Sequence, residues 1–156
     1  MKVVINKCYG GFGLSPVAIK RYLELCGKEC HFYTSDRVNR TKYVPCSLED
    51  AQETYFVYSF TRVLTPEEHV LVEKNYNQFT PEEKERSDKL WSEIHFYDHD
   101  IERNDPKLIQ VVEELGKAAN SNHAELEVIE IPDNISWEVD EYDGNERIVE
   151  SHRSWS

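Results

Sequence analysis

The sequence lacks most of the signals by which a function is usually read. No apolar run approaches the roughly 18 residues needed to cross a bilayer, so no membrane partner is expected. Basic side chains are in the minority, 18 Lys and Arg against 30 Asp and Glu, for a formal net charge of −12. That balance argues against duplex nucleic acid as a partner, because affinity for a duplex comes from many cations displacing the counterions of the phosphates. Cysteine is confined to Cys8, Cys26, Cys30 and Cys46. The chain passes from Met1-Lys2 straight into Val3-Val4-Ile5, too short and too strand-like for the apolar core of a secretory signal. The expected location is therefore cytoplasmic, with the cysteines as buried free thiols. Cys26, Cys30 and His31 have the look of half a zinc site, but no second close-spaced Cys/His pair follows, so no metal and no cofactor are expected. A nucleophile elbow, a zincin helix and a catalytic dyad at telling spacing are missing too.

What is there reads as one α/β domain. A chain of 156 residues, 39% hydrophobic and 31% charged, suffices for one core and would be cramped as two. Val3-Val4-Ile5 is a short β-branched run that stops at the glycines of Tyr9-Gly10-Gly11-Phe12-Gly13, as a buried strand should. Ser15-Pro16 supplies an N-cap and an N1 proline, and Ala18, Ile19, Tyr22, Leu23 and Cys26 recur at helical spacing up to Gly27. With His31-Phe32-Tyr33-Thr34 as a second strand, the first 35 residues read as a β–loop–α–β unit. Thr65-Pro66-Glu67-Glu68 and Thr80-Pro81-Glu82-Glu83 each combine an N-cap Thr, an N1 Pro and an N3 Glu, so both should start helices, the second running to about Glu93. The acidic stretch between them reads as a solvated insertion.

Further strands are expected at Tyr55-Phe56-Val57-Tyr58, at His95-Phe96-Tyr97 and from Glu125 to Ile131. Asp105-Pro106 should cap a helix carrying Leu108, Ile109, Val111, Val112 and Leu115 and ending at Gly116. Trp137 and Val139, then Asp143-Gly144, then Ile148 and Val149 give a hairpin at the edge of the sheet. The expectation is a single α/β domain over residues 1–156: a mixed β-sheet with flanking helices and a C-terminal β-hairpin, and residues 36–93 as a variable, partly helical insertion.

Two segments leave a strand and enter a helix, where unpaired backbone N–H groups and the helix dipole favour an anion. In the first, Gly10, Gly11 and Gly13 would let phosphate approach the backbone, with Tyr9 or Phe12 stacking on a base. It matches neither the dinucleotide fingerprint, lacking the third glycine, nor the phosphate-binding Walker pattern, lacking Lys-Ser/Thr. A tight turn with Tyr9 and Phe12 as cover is the structural alternative. The second runs from His95 to Asp105. If the two strands are parallel neighbours, both loops share one sheet edge and Arg103 and Asp105 come within reach of the glycines. Asp105 could equally be only a helix cap, and Arg103 the partner of a nearby carboxylate. Arg37, Arg40 and Lys42 form a basic trio that could clamp phosphate or simply be solvated. Near the other end, His152-Arg153-Ser154-Trp155 sets Arg153 beside an aromatic, one way of holding a base or ribose phosphate. Trp155 calls for a surface to cover, which could be the domain body, a ligand or a second subunit in a homo-oligomer.

The two ends of the chain resemble a known group of sequences. Lys2-Val3-Val4-Ile5-Asn6 with Cys8-Tyr9-Gly10-Gly11-Phe12-Gly13-Leu14-Ser15, then Asp100-Ile101-Glu102-Arg103, Asp105-Pro106 and Val111-Val112-Glu113-Glu114-Leu115-Gly116, and finally Glu141-Tyr142-Asp143-Gly144 with His152-Arg153, resemble a family of small uncharacterised tailed-phage and prophage proteins. The middle of the chain is outside the resemblance. It implies a phage setting and carries no assigned chemistry. By analogy with small accessory phage proteins, the expected function is binding of a small phosphate-containing nucleotide, as a sponge that sequesters a host-defence signal. The ligand residues would be Tyr9, Gly10, Gly11, Phe12, Gly13, Arg103, Asp105, His152 and Arg153. Two other readings stand beside it. One is a nucleotide-processing enzyme using His95, His99 and Asp98 or Asp100 as acid–base groups or metal ligands. The other is an acidic module, Asp140 and Glu141 included, that docks on a basic host protein or mimics DNA. Charge asymmetry bears on both: residues 1–50 carry eight Lys/Arg against five Asp/Glu, while 125–156 carry two against ten.

Overall fold

The computed structural model describes residues 1–35, 42–54, 57–74 and 76–151. The chain is α/β. Its first elements are β1 (Lys2–Asn6), α1 (Pro16–Leu25), β2 (His31–Ser35), β3 (Tyr43–Cys46), α2 (Leu48–Glu53) and β4 (Val57–Phe60). They are followed by α3 (Pro66–Val72), α4 (Pro81–Ile94), α5 (Pro106–Leu115), β5 (Leu126–Glu130), β6 (Trp137–Tyr142) and β7 (Asn145–Glu150). Two compact units are formed, one from Met1–Cys26 with Asp98–Ser156 and the other from Gly27–Tyr97. The strands fall into three small sheets, β1-β5, β3-β2-β4 and β6-β7, and every pairing among the described residues is antiparallel.

In the first unit β1 is the central element. Val3, Val4 and Ile5 are almost wholly excluded from solvent, which for each branched side chain contributes about 1.5–3 kcal/mol. β5 pairs along one side of β1, Val4 opposite Val128, and on the other side the Val4 N–H donates to the Arg103 carbonyl at 2.8 Å. Helices α1 and α5 pack together through Ala18, Tyr22 and Leu23 on one and Leu108, Val111 and Val112 on the other. Both start as their sequences predict. Ser15 caps α1 by accepting from the Ala18 N–H, Asp105 caps α5 by accepting from Lys107, and proline follows each cap. The C-terminal hairpin also forms, turning through Asp143 and Gly144 at φ 49° and 90°, the two positive angles that a tight two-residue turn requires. Among the described residues it is a sheet of its own and not an edge of a larger one.

The second unit is built on Tyr33, Phe60, Leu64, Leu90 and Ile94, with Trp91, Tyr43, Tyr58 and Val72 packed against them. Both predicted capping boxes close: Thr65 with Glu68 at α3, and Thr80 with Glu83 at α4. The stretch between them is not simply solvated, because α3 buries Leu71. Tyr43 is held protonated far into base: burial pushes its phenol up to about 12, with Tyr58 and Glu73 adding to the shift.

Two sequence expectations are corrected by pairing. The first 35 residues form strand, loop, helix and strand in the expected order, but β1 and β2 are not neighbours in one sheet, so they do not make the parallel unit that order suggests. Nor do His95, Phe96 and Tyr97 form a strand. His95 ends α4, makes one isolated bridge to Phe60, and stacks its ring edge-on against Trp91 at 5.0 Å and Tyr97 at 4.6 Å, so aromatic packing fixes the segment where a ladder was expected. The four cysteines are free and half-buried, less enclosed than expected. Arg37, Arg40, Tyr55, Phe56, His152, Arg153, Ser154 and Trp155 lie outside the described residues.

The second unit also carries an acid-sensitive link. Arg62 grips Glu68 with two bonds at 2.6 and 2.7 Å, and together with the Thr65 cap this holds the Glu68 carboxyl down at about 2 from an ordinary 4.5. A carboxyl depressed by folding stabilises above its unfolded value and loses that contribution as pH falls towards the folded one. Urea unfolding followed from neutral pH through 4.5 towards 2 should therefore show a stability decline that Glu68→Gln partly flattens. An unchanged decline in the variant would assign the acid sensitivity elsewhere.

Candidate functional site

The glycine loop of the first unit begins where β1 ends, and Asn6 determines how. This residue is fully buried, and its side chain donates to the Cys8 carbonyl at 2.9 Å and the Gly144 carbonyl at 2.7 Å. Its Oδ1 accepts from the Glu125 N–H at 2.8 Å and the Cys8 N–H at 3.3 Å, while its own N–H donates to Glu146 Oε1 at 2.8 Å. One amide thus joins β1, the loop, β5 and the hairpin.

Glu146 is itself buried, at 4% exposure, and is met by both guanidinium nitrogens of Arg103, the second at 2.8 Å. The same guanidinium lies over the Phe12 ring, 3.7 Å from its centroid. Arg103 and Phe12 are both expected to touch a ligand, but Arg103 is committed to Glu146 and Phe12 lies beneath its guanidinium. Phe12 is only 5% exposed, which leaves no face for a base. Asp105 is occupied as well: besides capping α5 it accepts from the Tyr22 hydroxyl at 2.7 Å, and burial together with that bond pushes the Tyr22 phenol up.

The glycines divide by role. Gly10 donates to the Asp143 carbonyl at 3.1 Å, and Gly144 sits so close to the loop that a Cβ added there would be 2.2 Å from the Gly11 nitrogen. Close backbone approach explains both. Gly13 packs on Ser121. Gly11, at φ +98°, has open space on the side a Cβ would occupy. The N–H groups of Gly11, Phe12 and Gly13 donate to no acceptor among the described residues. The next in the row, Leu14, donates to the Asp98 carboxylate at 2.9 Å, so this backbone already takes an anionic oxygen. Beside the row Tyr9 is 64% exposed, and Lys7 and His123 are exposed cations or potential cations nearby in the chain or against Gly10.

The residues of the enzymatic reading are arranged differently. His99 is largely exposed and stands 3.7 Å from Asp98, whose other oxygen holds Leu14. Asp100 is exposed, and His95 belongs to the aromatic cluster of the second unit. Among the described residues no group of three or more His, Cys, Asp or Glu side chains is positioned to hold a metal. No described helix is long and apolar enough to cross a membrane.

Sequence reasoning missed the parts played here by Asn6, Gly144 and above all Glu146, and it placed Asp98 in an acid–base or metal set where the structure sets it on the Leu14 N–H. The signal for Glu146 was present: on a strand it shares a face with Ile148, so an acid stands where the two-residue period calls for an apolar side chain. The chain matches no protein-family profile, no curated protein and no solved structure.

Removing one partner of a buried ion pair leaves the other charge unmet, at a cost of about 3–5 kcal/mol. Arg103→Ala should therefore lower the denaturant midpoint steeply, and a loss under about 1 kcal/mol would mean that Glu146 is hydrated. Gly144→Ala should cost about 1–3 kcal/mol through its positive φ and the approach to Gly11, readable as a fall in Tm.

Proposed function

We propose that the protein is a binding module whose Gly10–Gly13 loop takes up a small phosphate-containing nucleotide and holds it unchanged. The observation that carries this reading is the row of N–H groups at Gly11, Phe12 and Gly13 with no acceptor among the described residues, continuing into the Leu14 N–H that holds a carboxylate. Donor rows of this kind favour anionic oxygens, which need no dedicated cation when backbone dipoles converge on them. Tyr9, exposed and one residue from Gly10, supplies the aromatic face for a base. Arg103 serves the site indirectly, by holding Phe12 and Glu146 in position.

The acidic surroundings narrow the ligand. Asp143 adjoins Gly10 through its carbonyl, and the carboxylates of the hairpin raise the cost of bringing a terminal phosphate with two negative charges to the loop. A phosphodiester, with one charge per phosphorus, suffers less repulsion, which favours cyclic oligonucleotides over mononucleotides. The resemblance of both chain ends to tailed-phage and prophage proteins supports sequestration of a host-defence nucleotide signal as the biological role.

Scanning fluorimetry against cyclic dinucleotides, cyclic trinucleotides, ADP-ribose derivatives and mononucleotides tests the reading. Ligand at a hundred times its Kd stabilises a fold by about 2.7 kcal/mol, a shift of several degrees for a chain of this size. The expected outcome is a shift for a cyclic oligonucleotide, ligand recovered intact by chromatography, and loss of the shift in Tyr9→Ala at unchanged basal Tm. Altered ligand would make the protein an enzyme, and no shift across the panel would remove the nucleotide reading.

A further inference from the structure

A second row of unmet backbone groups lies on the first unit, along the outer edge of β5. This strand pairs with β1 alone, and the register determines which of its groups are left over. The Lys7 N–H donates to the Glu125 carbonyl at 2.8 Å and the Ile131 N–H to the Met1 carbonyl at 2.9 Å, so the mutually bonded pairs are the odd-numbered ones, Val3 with Ile129 and Ile5 with Glu127. Leu126, Val128 and Glu130 consequently turn their N–H and C=O groups away from β1. Asn120 Oδ1 meets the Leu126 N–H at 2.9 Å and closes that end, while the backbone groups of Val128 and Glu130 bond to nothing among the described residues. The strand is backed by α5, which packs on β1 and β5 alike, so the edge is held extended without its missing partner.

The side chains around the edge define what could complete it. Glu125, Glu127 and Glu130 are exposed, and among the described residues none of the three forms an ion pair within bonding distance. Glutamates on an edge guard against addition of a like-charged strand, and a second copy of this chain would bring the same glutamates with it. A strand bearing Lys or Arg meets no such repulsion and gains from the charge. We propose that the outer edge of β5 takes up an extended Lys- or Arg-bearing segment of another protein as an added β-strand, the main chain of Val128 and Glu130 supplying the bonds and the glutamates the selectivity.

The probe is a fluorescein-labelled octapeptide alternating lysine and valine, with a counterpart N-methylated at every residue, which keeps the charge and loses the backbone donors. Anisotropy at low salt should show binding of the first and at least tenfold weaker binding of the second. Hydrogen exchange should slow at the Val128 and Glu130 amides when the first peptide is bound. Val128→Pro removes an N–H that β1 does not use, so the ladder survives, and it should weaken binding at least tenfold. Glu127→Lys should weaken it independently through charge. Absence of binding at millimolar peptide, equal binding of the two peptides, or unchanged exchange at Val128 and Glu130 would each overturn the proposal, the last two by reducing the contact to charge alone. Tyr9→Ala, which belongs to the nucleotide site, should bind the peptide as the parent protein does.

Discussion

The architecture of the first unit depends on one buried ion pair. Glu146 is nearly inaccessible, and a carboxylate in that position costs several kcal/mol unless its oxygens are met. Arg103 meets both, and the Asn6 N–H adds a third bond. Each donor comes from a different segment: Asn6 from the end of β1, Arg103 from the stretch before α5. Glu146 sits two residues past the hairpin turn. The pair therefore fixes the turn against the loop, and only then does the 2.2 Å that would separate a Cβ at Gly144 from the Gly11 nitrogen become a constraint on residue choice. Apolar burial alone would not orient a two-stranded hairpin this way, since Trp137, Val139, Ile148 and Val149 are only half-buried.

Much of the local structure was legible because it depends on neighbours in sequence. Ser15-Pro16, Thr65-Pro66 with Glu68, Thr80-Pro81 with Glu83 and Asp105-Pro106 all cap the helices they announce. Asp143-Gly144 makes its turn for the same reason. Pairing was not legible. β1 has its partner in β5, near the other end of the described chain, and nothing in Val3-Val4-Ile5 distinguishes that partner from a nearer strand. His95-Phe96-Tyr97 carries the composition of a strand, yet its aromatic rings find Trp91 and Phe60 before its backbone finds a ladder.

The candidate site was legible in outline and misread in detail. The loop was recognised by its glycines, but their presence mixes two causes: close approach to His123 and the hairpin at Gly10, and open backbone at Gly11. Arg103 was singled out as a ligand cation because it follows a loop on the way to a helix. Its charge is spent internally, on a glutamate whose burial could be inferred only by taking the two-residue period of β7 as seriously as its acidity. Of the expected ligand residues among those described, Tyr9 alone presents an unoccupied aromatic face.

Backbone and charge then act together on the surface of this unit. Among the described residues, the unmet groups at Gly11–Gly13 and along β5 are main-chain ones, and main-chain groups attract by position with little selectivity of their own. The acidic side chains of the last third supply the discrimination by repulsion, since a further anion brought beside those carboxylates costs more than a neutral or cationic group. The same surplus of carboxylates that disfavours duplex nucleic acid thus disfavours a doubly charged terminal phosphate at the loop and an acidic strand at the edge. Composition, which could not name a ligand, sets limits on the charge that any ligand brings to either place.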